Sequence, residues 1–157
     1  MAILGFRGPT KWLSNFERAD VTFEGIIFPS TEHAYQAAKT ENKKARYAIS
    51  QLPTPGNAKH IGDALALRPG WLDMRVKIME DLVRQKFTNH PHLRDQLLAT
   101  GDEYIEETNT WNDTFWGVCN DEGENKLGEI LMRVRAELKE AVNESKSEIE
   151  TKVEATS

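Results

Sequence analysis

Pro29-Ser30-Thr31-Glu32-His33-Ala34-Tyr35-Gln36-Ala37-Ala38-Lys39 opens with a helix-start signal: Pro and Ser, then an acid in the first turn. At about 3.6 residues per turn, Glu32, Tyr35, Gln36 and Lys39 fall at i, i+3, i+4 and i+7. One face of the expected helix therefore carries a carboxylate, a phenol, an amide and an amine. Ala34, Ala37 and Ala38 allow close backbone packing elsewhere on it. A buried face normally repeats apolar residues at this spacing. This one repeats groups able to do chemistry, which makes it the leading site candidate.

On its upstream side, Val21-Thr22-Phe23 and Ile26-Ile27-Phe28 flank Glu24-Gly25 and read as a hairpin, with Gly where positive φ is cheap. Ile3 to Phe6 reads as a strand entering the Arg7-Gly8-Pro9 turn. Trp12-Leu13-Ser14-Asn15-Phe16 is too short and mixed to predict a regular element. Downstream, Leu52-Pro53-Thr54-Pro55-Gly56 is a breaker cluster, followed by a short helix expected from near Ala58 to Leu67. After Arg68-Pro69-Gly70 a longer amphipathic helix carries Met74, Ile78, Leu82 and Val83 and ends near Phe87. Asn89-His90-Pro91 starts another, with Leu93, Leu97 and Leu98, stopped by Thr100-Gly101. Glu103 to Glu107 and Phe115 to Cys119 read as strands, and Asn120-Asp121-Glu122-Gly123 as a turn. The last helix has a core stripe of Leu127, Ile130, Leu131, Val134 and Leu138. The expected architecture is α+β: a compact, mostly helical single domain over residues 1–143 with a small β-sheet. The Glu-, Lys- and Ser-rich stretch 144–157 is expected to be a frayed or disordered tail.

Composition narrows the function. The 157 residues, 39% hydrophobic and 29% charged, suit one soluble globular domain. A net charge of -5 argues against a generic nucleic-acid coat, which needs a broad basic surface. An enzyme meeting one modified nucleotide through a local basic pocket remains compatible. Cys119 is the only cysteine, so neither an internal disulfide nor a cysteine-based zinc site is expected. Without a leader pattern or an apolar run of membrane-spanning length, a cytoplasmic, reducing location is expected.

Each candidate also has a plain structural explanation. Glu32 suits a helix-dipole partner, worth ~0.3–1 kcal/mol, and the same dipole would keep its carboxylate ionised near neutral pH. Lys39 and Gln36 fit a solvated face equally well. Two helical turns, about 10 Å, separate Glu32 from Lys39, so the pair would flank a ligand rather than touch. His33 has no partner at metal-ligand spacing, and His60, His90 and His92 are scattered, so no metal is expected. No phosphate-binding Gly-rich loop or Gly-x-Ser-x-Gly elbow occurs. Among Trp12, Trp71, Trp111 and Trp116, the usual role is core packing. Yet Trp111-Asn112-Asp113-Thr114-Phe115-Trp116-Gly117 mixes rings with hydrogen-bonding groups, as a nucleobase site needs. Asn125-Lys126-Leu127-Gly128 would present backbone N–H groups at a helix start, a natural phosphate seat.

Together these pieces resemble the NADAR, or YbiA-like, family. The resemblance is an ordered series over most of the chain, from Leu13-Ser14-Asn15-Phe16 through Phe28 to Lys39. It continues with Trp71, Met74 and Met79, Lys86-Phe87, Leu97 to Gly101 and Ile105-Glu106-Glu107. Asp113 to Gly117 and Gly123 to Arg135 close it. It implies a helical α+β fold and an N-glycosidase acting on ribose linked to nitrogen. It also implies Glu32, Lys39 and Asp113 as catalytic residues, with Trp12, Asn15, Trp111, Trp116, Asn125 and Gly128 in the pocket. Tyr35 and Gln36 join them from the helix face. A carboxylate would stabilise oxocarbenium character on ribose or activate water. A lysine amine would attack C1′ and open the sugar to a Schiff base. The expected substrate is ADP-ribosylated guanine, in DNA. Phosphorylated ribosylamino-pyrimidine intermediates of riboflavin synthesis are the alternative. A non-catalytic ADP-ribose or NAD reader is disfavoured, because it needs neither Glu32 nor Lys39. No cofactor, membrane or obligatory protein partner is expected.

Overall fold

Ser30 starts the central helix as its sequence demands: its Oγ accepts from the His33 backbone N–H at 3.1 Å. His33 Nε2 donates to the Leu52 carbonyl at 3.0 Å, which leaves Nδ1 to accept from the Ser30 hydroxyl at 2.7 Å. His33 is therefore a structural clamp between this helix, α1 (Thr31–Ala38), and residue 52. Every residue of α1 is buried. In the computed structural model, which describes residues 1–156, the hairpin before it and the three helices after it pack against it.

The chain begins with β1 (Ile3–Leu4), a 3-10 helix (Gly8–Leu13) that takes in Trp12, β2 (Arg18–Phe23) and β3 (Ile26–Ser30). After α1 come α2 (Lys43–Ser50), α3 (Pro55–Asp63), α4 (Trp71–Asn89) and α5 (Pro91–Ala99). β4 (Ile105–Glu106) and α6 (Lys126–Thr156) complete it. The single small sheet expected is instead two two-stranded pieces. β2 and β3 form the expected antiparallel hairpin, with Val21 opposite Phe28, while β1 pairs parallel with β4. The core joins Phe28 and the α1 alanines to Leu82, Val83 and Phe87 of α4, Leu97 of α5, and Ile130, Leu131 and Val134 of α6.

Three elements depart from the sequence expectation. α2 is a separate helix, capped by Asn42, whose Oδ1 accepts from the Ala45 N–H at 3.0 Å. α3 starts earlier than Ala58, because Thr54 caps it (Asn57 N–H to Oγ1, 3.0 Å) and Pro55 takes its first turn. Phe115 to Cys119 is not a strand. The Phe115 and Trp116 N–H groups donate to Asp113 Oδ1, and the 115, 116 and 117 carbonyls accept from residues 126, 127 and 125. Nothing is left for a ladder there beyond isolated bridges from Val118 to Thr108 and from Cys119 to Glu122. α6 continues past Asn143, and after Val142 all its described residues are exposed.

Lys86 runs through the core to donate from Nζ to the Ser14 carbonyl at 2.8 Å. It is buried, and burial pushes its ammonium down to about 7 against the attraction of Glu17.

Candidate active site

A cleft of about 1380 Å³ opens between α1, the residues around the 3-10 helix, α3, the start of α4 and the segment from Glu107 to Trp116. α1 supplies one wall, with Glu32, Tyr35, Gln36 and, at its C-terminal cap, Lys39. Gln36 Nε2 donates to Glu32 Oε1 at 2.7 Å. Glu32 is only 8% exposed. Burial raises its pKa, against the Gln36 hydrogen bond and the charges of Lys59 and Lys39. The helix dipole was expected to hold this carboxylate ionised; desolvation acts in the opposite sense. Burial likewise lowers the Lys39 pKa, helped by neighbouring Lys59 and opposed by Asp63, whose Oδ1 is 3.9 Å away. Tyr35 packs edge-on against Trp71 and Trp116, with ring centroids 5.3 and 5.5 Å away. Burial pushes its phenol up to about 12, so it remains a neutral donor.

The other wall is held by a side chain. Asn109 Oδ1 accepts from the Trp111 and Asp113 N–H groups at 3.2 and 3.1 Å. Its Nδ2 donates to the Asp113 carbonyl at 2.9 Å and to Glu107 Oε2 at 3.1 Å. Asp113 Oδ1 in turn accepts from the Phe115 and Trp116 N–H groups at 3.2 and 2.9 Å. This arrangement sets Asp113 and Trp116 along the cleft and leaves Trp111 60% exposed at its rim. Asn15 lines the cleft too. Its carbonyl accepts from the Glu32 N–H at 3.0 Å, while its buried Oδ1 has no partner.

The cleft thus collects Glu32, Lys39, Asp113, Asn15, Tyr35, Gln36, Trp111 and Trp116, and leaves out three expected residues. Trp12 packs edge-on against Phe87 at 6.2 Å. Asn125 is a structural tie to the 105–107 segment: its Oδ1 accepts from the Glu107 N–H and its Nδ2 donates to the Ile105 carbonyl, both at 3.0 Å. Gly128 lies where a Cβ would stand 2.3 Å from both Asn125 Nδ2 and the Ile105 carbonyl. The expected phosphate seat is also occupied, since the N–H groups of Asn125, Lys126 and Leu127 donate to carbonyls of the 115–117 turn.

A family model described as the NADAR domain matches residues 6–139. The chain belongs to the NADAR family. It is 34% identical over 128 residues to the N-glycosidase YbiA of Escherichia coli (strain K12), covering 80% of this chain and 79% of that one. An N-glycosidase of Nostoc punctiforme is 35% identical over 137 residues, covering 83% of this chain and 87% of the other. A riboflavin biosynthesis protein of Vibrio vulnificus (strain YJ016) is 38% identical over 132 residues; the match covers 82% of this chain and 36% of that protein. The NMR structure of the E. coli protein YbiA superposes with a TM-score of 0.78 and 30% identity, over 92% of this chain and 89% of that one.

The NADAR cleft also holds residues that sequence periodicity did not single out as site residues. Glu107 and Lys59 line it, as do Arg7, Lys11, Arg18 and Arg75. Among the described residues these last four form no ion pair, and Arg75 stacks its guanidinium 3.6 Å from the Phe115 ring centroid. The run of turn-forming Asn and Asp at 109, 112 and 113 was the available signal for the side-chain-held wall. No group of three or more His, Cys, Asp or Glu among the described residues is placed to hold a metal. No described helix is long and apolar enough to cross a membrane.

Proposed function

We propose that this NADAR protein is an N-glycosidase that hydrolyses a ribose C1′–N bond, with ADP-ribosylated guanine in DNA as its substrate. The observation that carries the reading is the placement of the Lys39 amine and the buried Glu32 carboxyl along one wall of the cleft, where burial lowers the lysine pKa. A neutral Lys39 amine attacks C1′, and Glu32 shuttles the protons that the addition and its later hydrolysis require. Asp113, held by backbone N–H groups, adds negative charge near the developing oxocarbenium.

Three features favour the larger substrate. The cleft, at about 1380 Å³, exceeds the roughly 300–1,000 Å³ usual for a small-molecule pocket. Its rim exposes Phe16 and Trp111, rings suited to stacking on bases. The unpaired Arg7, Lys11 and Arg18 attract a polyanion although the chain is acidic overall.

The second reading, cleavage of a phosphorylated ribosylamino-pyrimidine, is favoured by the riboflavin-biosynthesis names of the Vibrio relative and of one from Zea mays. Incubation with DNA bearing ADP-ribose on guanine should yield free ADP-ribose and unmodified guanine in the strand, read by mass spectrometry. Release of ribose 5-phosphate from the riboflavin intermediate, with modified DNA left intact, would select the second reading.

A further inference from the structure

Glu107 follows directly on β4 and reaches into the cleft from the wall that Asn109 organises. Its position is built from several directions. The N–H of Glu107 donates to Asn125 Oδ1 at 3.0 Å, and its carbonyl accepts from the Val118 N–H at 2.9 Å. The carboxyl Oε2 accepts from Asn109 Nδ2 at 3.1 Å. A Cβ on residue 117 would stand 2.0 Å from that Oε2, so Gly117 leaves the space that the carboxyl occupies. The charged groups acting on it are Asp113, from the same segment, and Glu32, from α1.

The two carboxyls of this wall are treated differently. Asp113 Oδ1 accepts from two backbone N–H groups, those of Phe115 and Trp116. Glu107 has one amide donor, is mostly buried and faces the negative charge of Asp113. Burial first, then Asp113, push its carboxyl up to about 7, against the Asn109 donation. A carboxyl at that value is part protonated at neutral pH, the condition for a general acid.

We propose that Glu107 is the proton donor to the nitrogen leaving C1′. The role rests on the N-glycosidase reading above and applies to either substrate. As the C1′–N bond breaks, its electron pair leaves with the nitrogen, which takes the proton from Glu107. The water that finally supplies a hydroxyl to C1′ gives up the proton that restores Glu107, so the net change is addition of one water across the bond. Glu32 beside Lys39 manages the protons of the amine, and Glu107 serves the departing base. The two carboxyls therefore have separable functions.

The test is the pH profile of kcat/KM on both N-glycosides for the wild type, Glu107→Gln and Glu107→Asp. The wild type should lose activity above about pH 7, tenfold per unit, as Glu107 deprotonates. Glu107→Gln should be slower by roughly 10²-fold or more, with that alkaline limb gone. Glu107→Asp should keep a limb at reduced rate. A folded Glu107→Gln enzyme that retains the limb, or full activity, overturns the role while leaving the N-glycosidase reading intact. A wild type that cleaves neither N-glycoside removes both. Carboxyl carbon NMR of the glutamate-labelled wild type is independent of how Glu107→Gln folds: it should show a glutamate titrating near neutrality that disappears in Glu107→Asp. Finding no such glutamate overturns the proposal.

Discussion

α1 presents Glu32, Tyr35, Gln36 and Lys39 from a helix whose every residue is buried, whereas Glu107, Trp111 and Asp113 sit on a segment with little backbone pairing of its own. In the first wall the main chain fixes the geometry, and side chains are free to do chemistry. In the second, Asn109 replaces the missing ladder, and one amide decides where a carboxyl, an aspartate and a ring stand. Conservative changes to the cleft-facing side chains of this wall should therefore appear in turnover with the fold intact. Changes in the loop wall should appear in stability and affinity together.

The largest expected effect tests the helix wall. Lys39→Arg keeps a cation but offers a guanidinium that stays protonated, so turnover should fall at least ~10³-fold. Borohydride added during turnover should trap a ribose adduct on Lys39 in the wild type; an adduct mapped elsewhere would make Lys39 a substrate contact. Glu32→Gln preserves shape and should lower turnover by roughly 10²-fold with little change in Tm. Normal turnover would return Glu32 to the role of a helix-start residue.

Next comes the loop wall. Asn109→Ala strips partners from the Trp111 and Asp113 N–H groups and from Glu107, and should cost ~1–3 kcal/mol of stability with a raised KM. Denaturant unfolding beside steady-state kinetics measures both, and a change in KM alone would break the contrast between the walls. Trp111→Ala removes one exposed ring, so it should weaken substrate binding by up to ~1–3 kcal/mol and raise KM more than it lowers kcat. An unchanged KM would take Trp111 out of recognition.

The last test leaves the cleft for the core, where Lys86 is buried. The folded-state pKa of Lys86, about 7, lies below the ordinary lysine value of 10.5. The buried ammonium thus burdens the fold fully below pH 7, and the burden lifts as pH rises toward the unfolded value. Between those limits the unfolded chain binds more protons, so stability gains about 1.4 kcal/mol per pH unit from this group. Thermal melts from pH 7 to 10 should show the wild type gaining on Lys86→Met; parallel curves would place the Lys86 charge in contact with water.

The same contrast explains what was legible in the sequence. α1, the hairpin and α5 announce themselves through local signals: Ser30, Glu24-Gly25, and Pro91 with Gly101. α2 did not: it opens on Lys43, Lys44 and Arg46, residue types usually left in water, and the fold buries Arg46 in an ion pair with Glu24 and over the Phe23 ring. The aromatic and apolar run at 115–119 imitates a strand, but its hydrogen-bonding groups are committed to Asp113 and the start of α6. The site divides in the same way. Glu32 and Lys39 share a face by helical period alone. Glu107 becomes notable only beside Asp113 and Gly117, and the tie from Asn125 to residues 105 and 107 exists only once β4 lies against α6.

The burial of α1 also bears on how such a protein can diversify. Its reactive side chains share a helix with Ala34, Ala37 and Ala38, none of which has any exposed surface, so drift there threatens the whole fold. Phe16, Leu67, Leu72 and Trp111 ring the mouth with much of their surface in water, where most replacements change stability by less than about 0.5 kcal/mol. A lineage can exchange its cargo by editing the lip while inheriting the chemistry unchanged.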